Sequence, residues 1–536
     1  MTRAYASGVA ATPLSGETIS ENLRATVARF PEHEAIVSVH QNRRLTYTAF
    51  DAEVDEVARA ILSLGLRRGD RLGMWSPNTI EWALIQYATA RIGVILVNLN
   101  PAYRTSELAY ALEQSGCSAI ATMESFRTSN YREMVESVMP SLPLLQHVIY
   151  TEPEPWAKFM NLAGQTPLEE VLAIEASLDA DDPINIQYTS GTTGNPKGAT
   201  LSHQNILNNG LLVGEGCAYD ETDRVCIPVP YYHCFGMVMG NLACTSHGAT
   251  IVLPSASFDP KATLEAVAKE RCTSLYGVPT MFIAELALED FPRFDLSSLR
   301  TGIMAGSPCP VEVMKRVTLD MHMPEVTICY GMTETSPVSC QTLIDDPLEK
   351  RVGSVGRVHP HLEVKIVDAD GHTVQRGEPG EFLTRGYSVM LGYWNDPENT
   401  KQAIDTARWM HTGDLAIMDE EGYLNIVGRI KDMIIRGGEN IYPRELEEFL
   451  YQHPAVEDVA VIGVPDEVLG EAVMAWIRLR PAAQVTEEEI REFCVGKIAH
   501  FKIPKYIKFV DAFPMTVTGK VQKYLMRAES TRELDL

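Results

Sequence analysis

None of the ten cysteines forms a Cys-x2-Cys pair or stands at a metal-ligand spacing, so no thiolate metal motif is present. Most lie in apolar runs, as Cys226 does in Val225-Cys226-Ile227, the setting of small core residues in a reducing compartment. No stretch of 18 apolar residues exists, so no segment reads as a membrane span. Met1 to Ser20 has no continuous apolar stretch, and Leu534-Asp535-Leu536 is not a peroxisomal address, which makes the cytoplasm the expected setting. Positive charge is scarce. With 46 Lys and Arg against 71 Asp and Glu, the net charge is −25, which argues against a nucleic-acid partner. An anionic substrate must then be met by a few placed cations. No internal repeat or low-complexity segment stands out.

What is present fits two or more domains, because 536 residues exceed one core. Val54, Val57, Ala58, Ile61 and Leu64 recur at helical spacing. Short apolar runs follow at Ile92–Val97, Val225–Val229, Ala249–Leu253, Thr273–Tyr276, Thr301–Met304 and Val326–Tyr330, with a helix expected over Asp259–Glu270. This alternation predicts α/β layers around parallel sheets. After about residue 350 the texture becomes β-rich. Leu362–Val367 and Gly380–Leu383 flank an Asp370-Gly371 turn signal. A third texture begins near Gly428, with helices expected over Arg444–Tyr451 and Thr486–Ile498 and an extended run over Val456–Val464. The second helix is opened by a capping box of Thr486 and Glu489. The expected organisation is a large domain, 1–430, of doubly wound α/β subdomains plus a small β-rich subdomain, and a small mobile α+β domain, 431–536.

The most informative run is Thr189-Ser190-Gly191-Thr192-Thr193-Gly194-Asn195-Pro196-Lys197-Gly198, a polar loop after the strand-like Ile184–Tyr188. Glycines let the backbone approach a ligand. Hydroxyls, free N–H groups and the Lys197 charge suit phosphate oxygens. It is not the Walker loop, Gly-x4-Gly-Lys-Ser/Thr, because Pro196 interrupts it and Gly198 follows the lysine. Four further constellations carry chemistry. Tyr330-Gly331-Met332-Thr333-Glu334-Thr335 follows a strand and offers a flat ring and a hard oxygen ligand suited to Mg²⁺. Thr412-Gly413-Asp414 puts a carboxylate after a glycine turn, able to accept from ribose hydroxyls. Gly437-Gly438 permits close approach of a slender chain. Lys520 ends Pro514-Met515-Thr516-Val517-Thr518-Gly519-Lys520, where a lone lysine would ordinarily be a solvated surface residue.

The loop, in that order, closely resembles the signature of the adenylate-forming superfamily, which includes acyl-CoA synthetases, peptide-synthetase adenylation domains and firefly luciferase. The resemblances run from about residue 45 to 525. They imply that Thr189, Ser190, Gly191, Thr192, Thr193, Gly194 and Lys197 hold the ATP phosphates. Gly306, Ser307 and Pro308 match the adenine turn, Tyr330 and Gly331 the adenine-stacking segment, and Thr333 a phosphate or carboxylate contact. Glu334 matches the magnesium ligand. Asp414 and Arg429 match the ribose contacts, Lys431 the hinge, and Lys520 the catalytic lysine. Gly437 and Gly438 match the stretch along pantetheine, although Ile435 and Arg436 stand where plant aryl-CoA ligases carry further lysines. His233, within Pro230-Tyr231-Tyr232-His233-Cys234-Phe235-Gly236, matches a catalytic-site segment that gates the acyl passage. Gly386–Trp394 and Leu84–Glu107 also match family segments and read as scaffold.

The implied chemistry is an ATP-dependent, Mg²⁺-requiring carboxylic acid:CoA ligase that forms an acyl-adenylate and then a thioester. His233, Phe235, Gly236, Tyr276, Gly277 and Met332 would line the acyl pocket, with Gly236 and Gly240 leaving room. No basic residue stands in Phe235–Met237, Tyr276–Pro279 or Met332–Val338, so an apolar acid is expected, most closely a medium-chain fatty acid. Aryl and short branched acids are the alternatives, as is an acyl-AMP ligase that loads a carrier protein, although only 16 residues follow Lys520. A luciferase-like or non-catalytic binding protein is the other rival, opposed by the intact set Lys197, Glu334, Asp414, Arg429 and Lys520. The expected partners are the acid, ATP and coenzyme A, and a homodimer is compatible with the chain.

Overall fold

The computed structural model describes residues 2–189, 196–437, 439–481, 483–516 and 520–536. Two large sheets form most of the larger domain. One has seven strands, in the spatial order Gly392–Tyr393, Lys197–Ser202, Pro183–Thr189, Ile95–Asn98, Arg71–Trp75, Ala119–Thr122 and His147–Tyr150. The other has nine. Its parallel centre runs from Glu325–Gly331 through Thr301–Ala305, Ser274–Gly277, Arg224–Cys226 and Thr250–Leu253 to Glu34–Ser38. The helices Tyr47–Ser63, Ile80–Ile92 and His203–Gly216 share one apolar cluster with strands of both sheets. Every residue of Ile80–Ile92 is buried, as a helix covered on all sides must be. The doubly wound α/β class is therefore as expected.

The β-rich segment forms a five-stranded antiparallel sheet in the order Tyr5–Ser7, Leu362–Val367, Gly380–Gly386, Met410–Met418, Leu424–Arg429. From Ile434 onwards the chain enters a different sheet, with Ile434–Arg436, Glu439–Ile441, Val456–Asp466, Gly470–Leu479 and Tyr506–Phe509. Helices Pro443–Leu450 and Glu487–Cys494 cover one face of it, and Lys523–Glu533 covers the other. Thr486 caps its helix reciprocally with Glu489, but the helix stops at Cys494 rather than Ile498. Val495, at ψ 128°, turns the chain out of the helical path, and Gly496, at φ +74°, completes the turn that follows. All ten cysteines are buried and free. Among the described residues no helix is long and apolar enough to cross a membrane.

Two buried histidines give the fold a pH dependence. His203, at the first turn of His203–Gly216, accepts a hydrogen bond at Nδ1 from the Ile19 amide (3.2 Å), and its Nε2 has no partner among the described residues. His359 lies between Gln341 Oε1 (3.2 Å) and Tyr387 Oη (3.4 Å). Burial pushes His203 down to about 4 and His359 down to about 3. An unfolded chain binds these protons near pH 6.5, so below that pH the unfolded state holds more protons than the folded one. Stability should be complete above pH 6.5 and fall as pH drops towards 4, by about 1.4 kcal/mol per unit for each ring. Urea unfolding midpoints at pH 7.5 and 5 check this. An unchanged midpoint would exclude it.

Candidate active site

The site collects at the carboxyl ends of the parallel strands in the nine-stranded sheet, the edge at which α/β sheets bind ligands. Gly277 pairs with Met304, and Ala305 with Cys329, so the ends of three neighbouring strands stand in line. Gly306, at φ +90°, opens the Gly306-Ser307-Pro308 turn, and Tyr330-Gly331 closes the next strand. Gly331 is dictated by contact. A methyl there would stand 1.7 Å from the Pro337 carbonyl oxygen. The chain folds back instead, with Met332 N donating to that oxygen (3.0 Å) and Thr335 Oγ1 doing the same (2.7 Å). The short 3-10 turn Thr333–Thr335 inside this fold-back directs Glu334 inward.

Glu334 is buried. Its Oε1 accepts from Thr189 Oγ1 (3.1 Å) and from Tyr393 Oη (2.9 Å). Its Oε2 has no hydrogen-bond partner among the described residues. A buried carboxylate with one oxygen held and one free of donors suits a hard divalent cation. Thr189 ends the strand Pro183–Thr189 and lies opposite Lys197, the first residue of Lys197–Ser202. The polar loop thus joins two antiparallel strands, and the helix His203–Gly216 begins only after the second. This is a further reason it differs from a Walker loop, which opens a helix. The Lys197 ammonium lies 5.2 Å from the Tyr393 ring centre. Ser190, Gly191, Thr192, Thr193 and Gly194 lie outside the described residues.

Asp414 forms the second cluster. Its Oδ2 accepts from Tyr330 Oη (2.8 Å) and its Oδ1 from Arg429 Nε (3.1 Å). Asp414 and Arg429 are direct partners across the antiparallel pair Met410–Met418 and Leu424–Arg429. The Tyr330 ring meets Phe382 edge-on at 5.1 Å. Burial, and then the Asp414 charge, push the Tyr330 phenol far up. It therefore remains a donor that orients Asp414.

Lys520 comes from the C-terminal part of the chain, after the strand Tyr506–Phe509. Thr516 N donates to the Lys520 carbonyl (2.8 Å), Lys520 N donates to Thr516 Oγ1 (3.0 Å), and Met515 bridges Val521. Lys520 is exposed overall, yet the protein atoms gathered near its ammonium first, and the Arg429 charge second, push it below the usual lysine value, while Asp414 and Glu334 oppose the shift. Burial and then the Lys520 charge push His233 down to about 3. His233 is neutral there and tilts against Tyr232 at 5.1 Å. Lys431 sits in the 3-10 turn Ile430–Asp432 directly after Arg429. Its ammonium too is lowered, by burial and then by Arg429. Gly437, at φ +61°, donates its amide to the Leu469 carbonyl (2.8 Å). Gly438 lies outside the described residues.

Of the acyl-pocket set, Phe235 and Tyr276 stack at 5.5 Å, and Tyr276 Oη donates to the Met239 carbonyl (2.9 Å). The glycines do something other than leave room. A methyl on Gly236 would lie 2.4 Å from the Pro230 carbonyl oxygen, one on Gly240 2.8 Å from Ile227, and one on Gly277 2.8 Å from the Phe282 ring. They admit neighbouring protein, so the reading of Gly236 and Gly240 as space for substrate is corrected. Met332 is half-buried and packs against the main apolar cluster. Tyr393 was the residue missed. In sequence it stands in a stretch that reads as scaffold, and only the fold brings it to Glu334.

Comparison with known proteins decides the family. The model for the AMP-binding enzyme matches residues 23–394, and that for the AMP-binding enzyme C-terminal domain matches residues 445–520. This chain belongs to the AMP-binding enzyme family. It is 48% identical to the putative acyl-CoA synthetase YngI of Bacillus subtilis over 97% of this chain and 98% of that one. It is 44% identical to the mitochondrial medium-chain acyl-CoA ligase ACSF2 of Danio rerio over 100% of this chain and 92% of that one. Among solved structures, ATP-bound MatB from Rhodopseudomonas palustris superposes with a TM-score of 0.87 at 28% identity, covering 97% and 100% of the two chains.

Proposed function

We propose that this AMP-binding enzyme is an acid–thiol ligase that joins a medium-chain fatty acid to coenzyme A at the expense of ATP, releasing AMP and pyrophosphate. The observation that carries this reading is the pair of held carboxylates at the strand ends of the large domain, Glu334 fixed by Thr189 and Tyr393 and Asp414 fixed by Tyr330 and Arg429. The near-full-length likeness to proteins named acyl-CoA ligases supplies the thiol and the acid class.

In the first step a substrate carboxylate oxygen attacks the α-phosphorus of ATP and pyrophosphate leaves. Both reactants are anions, so a cation between them offsets their repulsion and stabilises the charge that develops at phosphorus. Lys520 takes that role. Asp414, oriented by Tyr330 and Arg429, accepts from the ribose hydroxyls. Thr189, Lys197 and the loop between them hold the phosphates, and Thr333 reaches the reacting phosphate or carboxylate. Glu334 would hold Mg²⁺, which when bound neutralises phosphate charge. In the second step the CoA sulfur attacks the acyl carbonyl and AMP leaves. His233, neutral at working pH, gates the passage and moves no proton. Between the steps the chain after Arg429 swings about Lys431, withdrawing Lys520 and bringing Gly437-Gly438 to the thiol. The domains are accordingly 1–430 and 431–536, and the setting is the cytoplasm.

The test is AMP and pyrophosphate release with MgATP, with and without CoA, over straight-chain, branched and aryl acids. AMP turnover that requires CoA and peaks at medium straight chains is expected. Pyrophosphate release indifferent to CoA would point to a carrier-protein acceptor, and a peak at aryl or branched acids would reassign the substrate. Silence across the panel would remove the reading.

A further inference from the structure

We propose that Tyr393 is a positioning residue, which fixes the Glu334 carboxylate for the metal–nucleotide complex and sets the place of Lys197. The inference rests on the assignment of magnesium to Glu334 above.

Tyr393 lies in the two-residue strand Gly392–Tyr393 at the edge of the seven-stranded sheet, paired antiparallel with Lys197–Ser202. Its surroundings pin the main chain on both sides. Met390 N donates to the Glu334 carbonyl (2.9 Å), Leu391 N to the Thr200 carbonyl (2.9 Å) and Trp394 N to the Gly198 carbonyl (2.7 Å). Tyr393 N donates to Thr400 Oγ1 (2.9 Å). This short segment therefore clasps both the strand that follows the phosphate loop and the turn that carries Glu334.

The side chain does two things from that place. Its hydroxyl donates to Glu334 Oε1 at 2.9 Å, sharing that oxygen with Thr189. A carboxylate with both donors on one oxygen loses its freedom to rotate and presents the other oxygen in one direction. Partners that orient a metal ligand in this way commonly matter as much as the ligand itself. Its ring face receives the Lys197 ammonium at 5.2 Å, an attraction that tethers the cation beside the phosphate loop. One residue thus couples the loop cation to the metal carboxylate.

The experiment measures Mn²⁺ binding by electron paramagnetic resonance in the presence of α,β-methylene-ATP, alongside steady-state constants, for the parent, Glu334→Gln, Tyr393→Phe and Tyr393→Leu. Tyr393→Phe should weaken Mn²⁺ binding about tenfold and leave the KM for the acid unchanged. Glu334→Gln should weaken Mn²⁺ at least as much. Tyr393→Leu should in addition weaken binding of the metal-free nucleotide, because it also removes the ring under Lys197. If Glu334→Gln weakens Mn²⁺ and Tyr393→Phe does not, the positioning role is wrong and the magnesium assignment stands. If Glu334→Gln leaves Mn²⁺ binding unchanged, the magnesium assignment fails and the inference fails with it. Tyr393→Met removes the same hydroxyl and carries the test should the phenylalanine chain not fold.

Discussion

Lys520→Ala should slow pyrophosphate release by roughly 10²–10³-fold or more, while thioester formation from a supplied acyl-adenylate and CoA stays near the parental rate. The asymmetry follows from charge. Only the first step brings two anions together at phosphorus, and only there does a cation at this place lower the barrier. The site has few other cations to take over, because the chain is strongly acidic and the nearest competitor, Arg429, is engaged with Asp414. The KM for ATP should change far less than kcat, since the lysine's contribution belongs mainly to the transition state. Quenched-flow assay of each half-reaction separates the two steps. Equal loss in both would contradict a division of labour between Lys520 and the Gly437-Gly438 pair, and with it the swing about Lys431.

Gly331→Ala should lose about a hundredfold or more in adenylation, the scale expected when catalytic groups move by about an ångström. The 1.7 Å approach to the Pro337 carbonyl oxygen leaves no place for a methyl. The obstacle is backbone, which cannot rotate away as a side chain would. Relief requires the Met332–Pro337 fold-back to open, breaking the hydrogen bonds from Met332 and Thr335. Glu334 lies within that turn and Tyr330 just before it, so the metal carboxylate and the partner of Asp414 move together. The variant should keep its circular dichroism spectrum, because the clash is confined to one turn at a sheet edge, and should lose binding of a stable acyl-adenylate analogue measured by calorimetry. Activity near the parental value would show that the turn is more pliable than its contacts indicate.

Much of this architecture was legible beforehand. Helical spacing at Val54 to Leu64 and short apolar runs at Thr301–Met304 and Val326–Tyr330 become helix and strands of the layered sheets. The Thr486–Glu489 pair caps its helix as read. Boundaries were harder. The helix after Thr486 ends early because Val495 turns extended, at ψ 128°, with Gly496 in the left-handed region after it, and a valine and a glycine after a string of helix formers do not announce those angles. Gly236 and Gly240 misled for a related reason. A missing side chain signals closeness to something, and the sequence does not say whether that is a ligand or, as here, Pro230 and Ile227.

The residues capable of phosphate, ribose and metal chemistry were set by the chain itself, since hydroxyls, carboxylates and lysines in a particular order define what each motif can bind. Their mutual arrangement was decided only by the tertiary structure. Thr189, Glu334 and Tyr393 lie up to 204 positions apart, the span from 189 to 393, and meet on one carboxylate oxygen. Tyr330 turns its hydroxyl to Asp414 rather than offering only a flat ring, and His233 is held neutral by crowding and by a lysine from the C-terminal part of the chain. The physical reason is range. Backbone preference and side-chain chemistry act over a few residues, whereas hydrogen-bond direction, burial and charge depend on which distant strands pack side by side.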